Sequence, residues 1–115
     1  MSDIKLENYE DIINKVIEEL KGLYGDKLKK IVLYGSYAKG TQNEESDIDI
    51  AVLVDEDEQV LKDNENKLDE IISEIGYRSF KLISIVDISY QRYMQYKEIL
   101  PYYKNIENEG IVLYG

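Results

Sequence analysis

Apolar positions first recur along the chain at three- and four-residue spacing. Tyr9, Ile12, Ile13, Val16, Ile17, Leu20, Leu23 and Tyr24 follow this period, with acids and lysines between them. The spacing predicts an amphipathic helix over residues 8–24, and Gly25 suits the position just past its last turn. The pattern then changes. Ile31, Val32 and Leu33 run together without a polar break inside residues 29–34, which predicts a strand buried on both faces. Residues 36–46 contain Gly40, Thr41, Gln42 and Asn43 and predict a loop, with room for one helical turn after Gly35. A second strand is predicted over residues 47–54, with Ile48, Ile50, Val52 and Val54 on one side. Asp55 to Glu58 give a polar break and a favourable first-turn charge for a helix carrying Val60, Leu61, Leu68, Ile71, Ile72 and Ile75, ending near Gly76. Residues 80–86 predict a third strand. Ser89 can cap a helix holding Tyr90, Tyr93, Met94 and Tyr96, and Pro101 begins a new segment. Ile111 to Tyr114 form a short terminal strand or packed tail. The order α-β-β-α-β-α-(α)-β predicts one α/β domain over residues 1–115, with helices covering a small sheet.

Composition narrows what such a domain can do. The chain has 115 residues, 43% of them hydrophobic, with a net charge of −10 and neither histidine nor cysteine. No Ser-His-Asp triad, histidine base, thiolate nucleophile, disulfide or Cys/His metal site is available. Direct binding to nucleic acid is not expected, because a phosphate backbone demands a basic footprint. No apolar run reaches the length of a membrane span, and the first residues lack the pattern of a signal peptide, so a cytoplasmic protein is expected.

Against that background the stretch from Leu33 to Val54 stands out. A strand ends in Gly35-Ser36, a short loop follows, and a second strand opens with Asp47 and Asp49. Residues i and i+2 of a strand share a face, so the two carboxylates project together while Ile48 and Ile50 point the other way. Gly35 lets backbone approach a ligand closely. Ser36 adds a hydroxyl, the N–H groups of a following helical turn can meet phosphate, and Lys39 supplies a positive charge. Mg²⁺ prefers one or two carboxylates, several waters and phosphate oxygens. The pieces together predict a site for Mg²⁺ and a nucleoside triphosphate. Either half alone has an ordinary reading, a turn for Gly-Ser and a solvated strand start for Asp-x-Asp. A Walker A loop and an EF-hand are both excluded, the first by the missing Gly-Lys-Ser/Thr and the second by the missing further ligands.

Gly35-Ser36-Tyr37-Ala38-Lys39-Gly40 followed by Ser46-Asp47-Ile48-Asp49-Ile50 resembles the signature of the polymerase β-like nucleotidyltransferase superfamily. Size and the Tyr-Gly-Ser-Tyr-Ala-x-Gly form are most similar to the minimal nucleotidyltransferase (MNT) domains of bacteria and archaea. The resemblance implies a small mixed sheet with helices on one side. It also implies transfer of a nucleoside monophosphate, AMP from ATP, to a hydroxyl with pyrophosphate leaving. Gly35, Ser36 and Lys39 would hold the nucleotide, and Asp47 and Asp49 would be the catalytic, Mg²⁺-binding pair. Some MNT domains act as antitoxins that add AMP to a tyrosine of a HEPN-domain toxin, which makes such a protein the implied partner.

Two departures bear on this. Lys39 stands where the family usually has arginine, and lysine cannot make the two-pronged contact. The family commonly carries a third carboxylate on a later strand. Counting back from the following helix puts Ser84 near that position, while Asp87, at odd spacing, falls on the opposite face and reads as a turn or cap residue. A degenerate MNT domain that regulates a partner by contact is therefore the alternative. The late tyrosines, Tyr90, Tyr93, Tyr96, Tyr102 and Tyr103, either serve such an interface or cover the sheet.

Overall fold

The computed structural model describes residues 8–43 and 46–115. The N-terminal residues read above for a targeting signal, and Glu44 and Glu45 of the predicted loop, lie outside the described residues. Helix α1, Tyr9–Tyr24, starts where the Asn8 side chain accepts from the Asp11 N–H at 2.8 Å. It buries Ile12, Ile13, Val16 and Leu20, the stripe given by the apolar spacing. It ends at Gly25, whose φ of 58° and ψ of −134° are open to glycine and costly for other residues.

A 3₁₀ turn, Gly25–Lys27, leads into β1, Leu28–Tyr34. The one-turn helix α2, Ser36–Lys39, separates it from β2, Ile48–Val54. Two helices follow, α3 (Glu58–Asp63) and α4 (Glu65–Ser79), then β3 (Ile83–Ser89), α5 (Tyr90–Tyr96), α6 (Pro101–Glu109) and β4 (Ile111–Tyr114). The sheet order is β3-β2-β1-β4. β1 pairs antiparallel with β2 and with β4, while β2 and β3 are parallel. A parallel pair needs a crossover, and α3 and α4 provide it.

β1 and β2 are buried on both faces, as the unbroken apolar run in β1 predicts. On one face Ile31, Leu33, Ile48, Ile50, Val52 and Val54 pack with Ile12, Val16 and Leu20 of α1 and Leu68 and Ile75 of α4. On the other, Val32, Ala51, Leu53 and Ile88 meet Tyr93 of α5 and Tyr103 and Ile106 of α6. Helices thus cover both faces, not the single side implied by the resemblance. The reason is visible in β1 and β2: Val32, Ala51 and Leu53 would otherwise leave a second apolar face in water. Among the described residues no helix is long and apolar enough to cross a membrane.

Several boundaries differ from the sequence expectations. The single helix expected after Asp55 is split at Asn64. The Asp57 carboxylate accepts from the Val60 N–H to start α3, and the Asn64 side chain donates to the Val60 carbonyl to close it. α4 runs past Gly76 to Ser79 and stops at Phe80, which takes a left-handed φ of 56°. The third strand therefore occupies 83–89 rather than 80–86, held by its ladder from Ile48↔Ile83 to Val54↔Ser89. Ser89 lies at the N-terminus of α5 but makes no side-chain cap hydrogen bond.

Candidate active site

Gly35 has φ 74° and ψ −152°, outside the regions that L side chains favour. A Cβ placed on it would lie 2.5 Å from Oδ2 of Asp49. The space left by the missing side chain is thus filled by a carboxylate from the neighbouring strand. The chain then closes one turn, Lys39 N–H to Gly35 carbonyl at 3.2 Å, and leaves it through Gly40 in the left-handed region. The helical turn expected after Gly35 is present.

Asp47 is exposed and immediately precedes β2; Ile48 and Ile50 are buried and Asp49 is half-buried. Burial first, and then the charge of Asp47, push the Asp49 carboxyl above its ordinary value. A cation between the two would relieve both effects. Among the described residues no cluster of three or more Asp, Glu, His or Cys that could hold a metal is found. The pair on its own fits Mg²⁺, which needs one or two carboxylates when phosphate and water complete its shell.

The row through Asp49 identifies its neighbours. Ser84 is its register partner on β3 and Tyr34 its partner on β1. Ser84 therefore occupies the position beside Asp49, as the count along the chain predicts. Tyr34 Oη lies 2.8 Å from Tyr102 Oη of α6, with the two rings edge to face. Burial, with a smaller push from the Asp49 charge, raises both phenols above the usual tyrosine range, while the bond between them raises Tyr34 and lowers Tyr102. Sequence reasoning missed this hydroxyl pair. Tyr34 sits in the signature itself, but the spacing carries no sign that Tyr102 meets it. The other late tyrosines mostly cover the sheet: Tyr93 and Tyr103 are buried, and Tyr90 and Tyr96 pack against the same cluster.

Lys39 is not aimed at the carboxylates. Its ammonium lies 3.3 Å from the Glu109 carboxylate, both side chains about half exposed. Asp87 is neither a turn nor a cap residue. It stands within β3 opposite Val52, on the α1–α4 face, and accepts from the Tyr24 hydroxyl at 3.2 Å. Its distance from the Asp49 row is a matter of register, since one face separates them.

Burial, only partly offset by the Tyr24 hydrogen bond, raises the Asp87 carboxyl above its ordinary value. A carboxyl with a higher pKa folded than unfolded favours the fold most fully at pH below the unfolded value, and that contribution is lost as pH rises through the folded value. At neutral pH the charge opposes folding. Asp87→Asn, which keeps an acceptor for Tyr24, is expected to raise Tm at pH 7 by a few degrees, the gain shrinking as pH falls toward about 4. Calorimetry across that range checks it; an equal loss of stability at every pH would contradict the assignment.

A cavity of about 530 Å³ is lined by Glu58, Lys62, Asp87, Arg92 and Tyr102 among others. Neither Gly35, Ser36, Asp47 nor Asp49 borders it.

Comparison with known proteins identifies the family. The model of the nucleotidyltransferase domain matches residues 13–113. A "putative protein adenylyltransferase" of Methanocaldococcus jannaschii is 32% identical over 107 residues, covering 93% of this chain and 99% of the relative. A crystal structure of a toxin–antitoxin with AMP-PNP is similar at a TM-score of 0.59 and 27% identity, over 90% of this chain and 73% of that one. A double aspartate-to-glutamate mutant of the MntA–HpeT toxin–antitoxin gives 0.60 and 25%, with the same coverage. The chain belongs to the nucleotidyltransferase domain family and is of the minimal, MNT-like kind.

Proposed function

We propose that this nucleotidyltransferase moves AMP from ATP to a hydroxyl of a protein partner, with a HEPN-domain toxin as that partner. The observation that carries the reading is the contact between the Gly35 backbone and the Asp49 carboxylate. That approach supports reading the glycine loop and the acidic strand as two halves of one site. In this reading Gly35 and Ser36 hold the triphosphate through backbone N–H groups and the Ser36 hydroxyl. Asp47 and Asp49 hold Mg²⁺, which when bound offsets charge on the phosphates and on the entering and leaving oxygens. Lys39 exchanges Glu109 for a phosphate oxygen, a small change because an exposed ion pair is worth about 0–1 kcal/mol. The rigid strand β2 fixes Asp49 while the loop carries the nucleotide, so catalysis rests on position and charge. The "protein adenylyltransferase" relative supports ATP and a protein acceptor, and the toxin–antitoxin neighbours support the antitoxin role.

Incubation with Mg²⁺, labelled ATP and the co-purifying partner tests this. Label is expected on the partner, and none with Asp47→Ala or Asp49→Ala. Ser84 in place of a third acid favours a second reading, a domain that regulates its partner by contact alone. Tight partner binding with no transfer from any nucleoside triphosphate, unchanged in the aspartate variants, would establish that reading instead.

Ser84 also yields a direct prediction. Ser84→Asp places a carboxylate beside Asp49 and is expected to tighten Mg²⁺ binding by about tenfold, the scale of one more close charge interaction. Isothermal titration checks it. An unchanged affinity would mean that the ion binds away from this row.

A further inference from the structure

The sheet face that carries Asp49 also carries the Tyr34–Tyr102 hydroxyl pair. Tyr34 is directly opposite Asp49 in the β1–β2 ladder, and such partners project to one side with Cβ atoms about 5 Å apart. The Tyr34 hydroxyl meets that of Tyr102 at 2.8 Å, so the path from carboxylate to Tyr102 passes through one side chain. Tyr102 is held in the first turn of α6 directly after Pro101, yet it is 40% exposed. Three other tyrosine hydroxyls are less suited. Tyr24 is bonded to Asp87 on the opposite face, Tyr93 is bonded to Glu107, and Tyr103 is buried.

We propose that Tyr102 is an acceptor within the chain itself, so that without a partner the protein transfers AMP to its own Tyr102. The proposal rests on the nucleotidyltransferase reading of Gly35, Ser36, Asp47 and Asp49 given above. The Tyr102 phenolic oxygen forms a bond to the α-phosphorus of ATP. The bond from that phosphorus to the α–β bridging oxygen breaks, and pyrophosphate leaves with the electron pair. The phenol proton passes to water. Donor and acceptor belong to one chain, so the step is unimolecular in the ATP-bound protein. The product places a nucleotide beside Asp49 and removes the Tyr102 hydroxyl from its bond with Tyr34. Self-modification therefore closes the site against a second ATP.

The experiment incubates the full-length chain alone with ATP and Mg²⁺, follows intact mass, and maps the adduct by peptide fragmentation. Equilibrium dialysis of the ATP analogue AMP-PNP with Mg²⁺ is run alongside on each protein. One AMP on Tyr102 is expected, with a modified fraction that does not change when the chain is diluted. Tyr102→Phe, which keeps the ring packed against Tyr34, is expected to bind the analogue but acquire no AMP. An adduct on another residue, an adduct that persists in Tyr102→Phe, or a fraction that falls on dilution would overturn the proposal. So would normal analogue binding without any adduct, which leaves the nucleotidyltransferase reading standing. Absence of both binding and adduct would overturn the two together.

Discussion

Asp49→Ala is expected to lower AMP transfer by roughly 10³-fold or more, because several kcal/mol of charge stabilisation at the reacting phosphate depend on that carboxylate. The chain should remain folded. Asp49 is half-buried near the start of the interior strand β2, and its charge is raised in energy by burial and by Asp47, so removing it relieves repulsion. The surrounding core, Ile48, Ile50 and Ala51, is fully buried and stays in place. The outcome to measure is initial transfer rate with saturating ATP, together with the thermal midpoint of the same preparation. A large rate loss with an unchanged midpoint assigns the effect to chemistry. A rate within a few-fold of the parent would remove Asp49 from the site.

The second large effect is expected at Gly35. Gly35→Ala puts a methyl group 2.5 Å from Asp49 Oδ2, closer than packed atoms approach, at a residue whose φ of 74° already disfavours a side chain. Strain at a left-handed position costs about 1–2 kcal/mol. The carboxylate or the loop must also shift, and a displacement near 1 Å at a reacting centre can cost about 10²-fold in rate. Gly35→Ala should therefore lose both stability and transfer. The companion Gly40→Ala separates the two terms. It sits in the ordinary left-handed region and meets nothing within 4 Å, so it should lose only about 1–2 kcal/mol, less than Gly35→Ala, and retain most transfer. Equal transfer losses in both variants would show that backbone strain alone, and not the approach to Asp49, explains Gly35.

Much of this site was legible because strand alternation is strict. Asp47 and Asp49 on one side and Ile48, Ile50, Val52 and Val54 on the other follow from a period of two, and the burial of those four residues in one cluster agrees. The same arithmetic placed Ser84 beside Asp49 and put Asp87 on the other face. The third strand's start was not legible. Phe80-Lys-Leu-Ile has the composition of a strand, but Tyr77, Phe80 and Leu82 are all largely exposed around the end of α4. Only the ladder with β2 selects residues 83–89, and pairing across the sheet is not written in the local pattern. Contacts of long separation were hidden for the same reason. Tyr24 and Asp87 stand 63 positions apart, and Tyr34 and Tyr102 stand 68 apart. Lys39 shows the limit of a motif, since a cation at the right position in sequence is paired here with Glu109 on α6.

In the proposed function the Gly35 loop and the two aspartates form one site for a nucleoside triphosphate and Mg²⁺. Its most direct measurement is an amide NMR titration of the chain with AMP-PNP in the presence of Mg²⁺. Shifts should concentrate at Gly35, Ser36, Asp47, Asp49 and Ser84, and the Asp49→Ala variant should lose them. Shifts confined to Glu58, Lys62 and Arg92 around the 530 Å³ cavity, with Gly35 and Asp49 unmoved, would contradict the account.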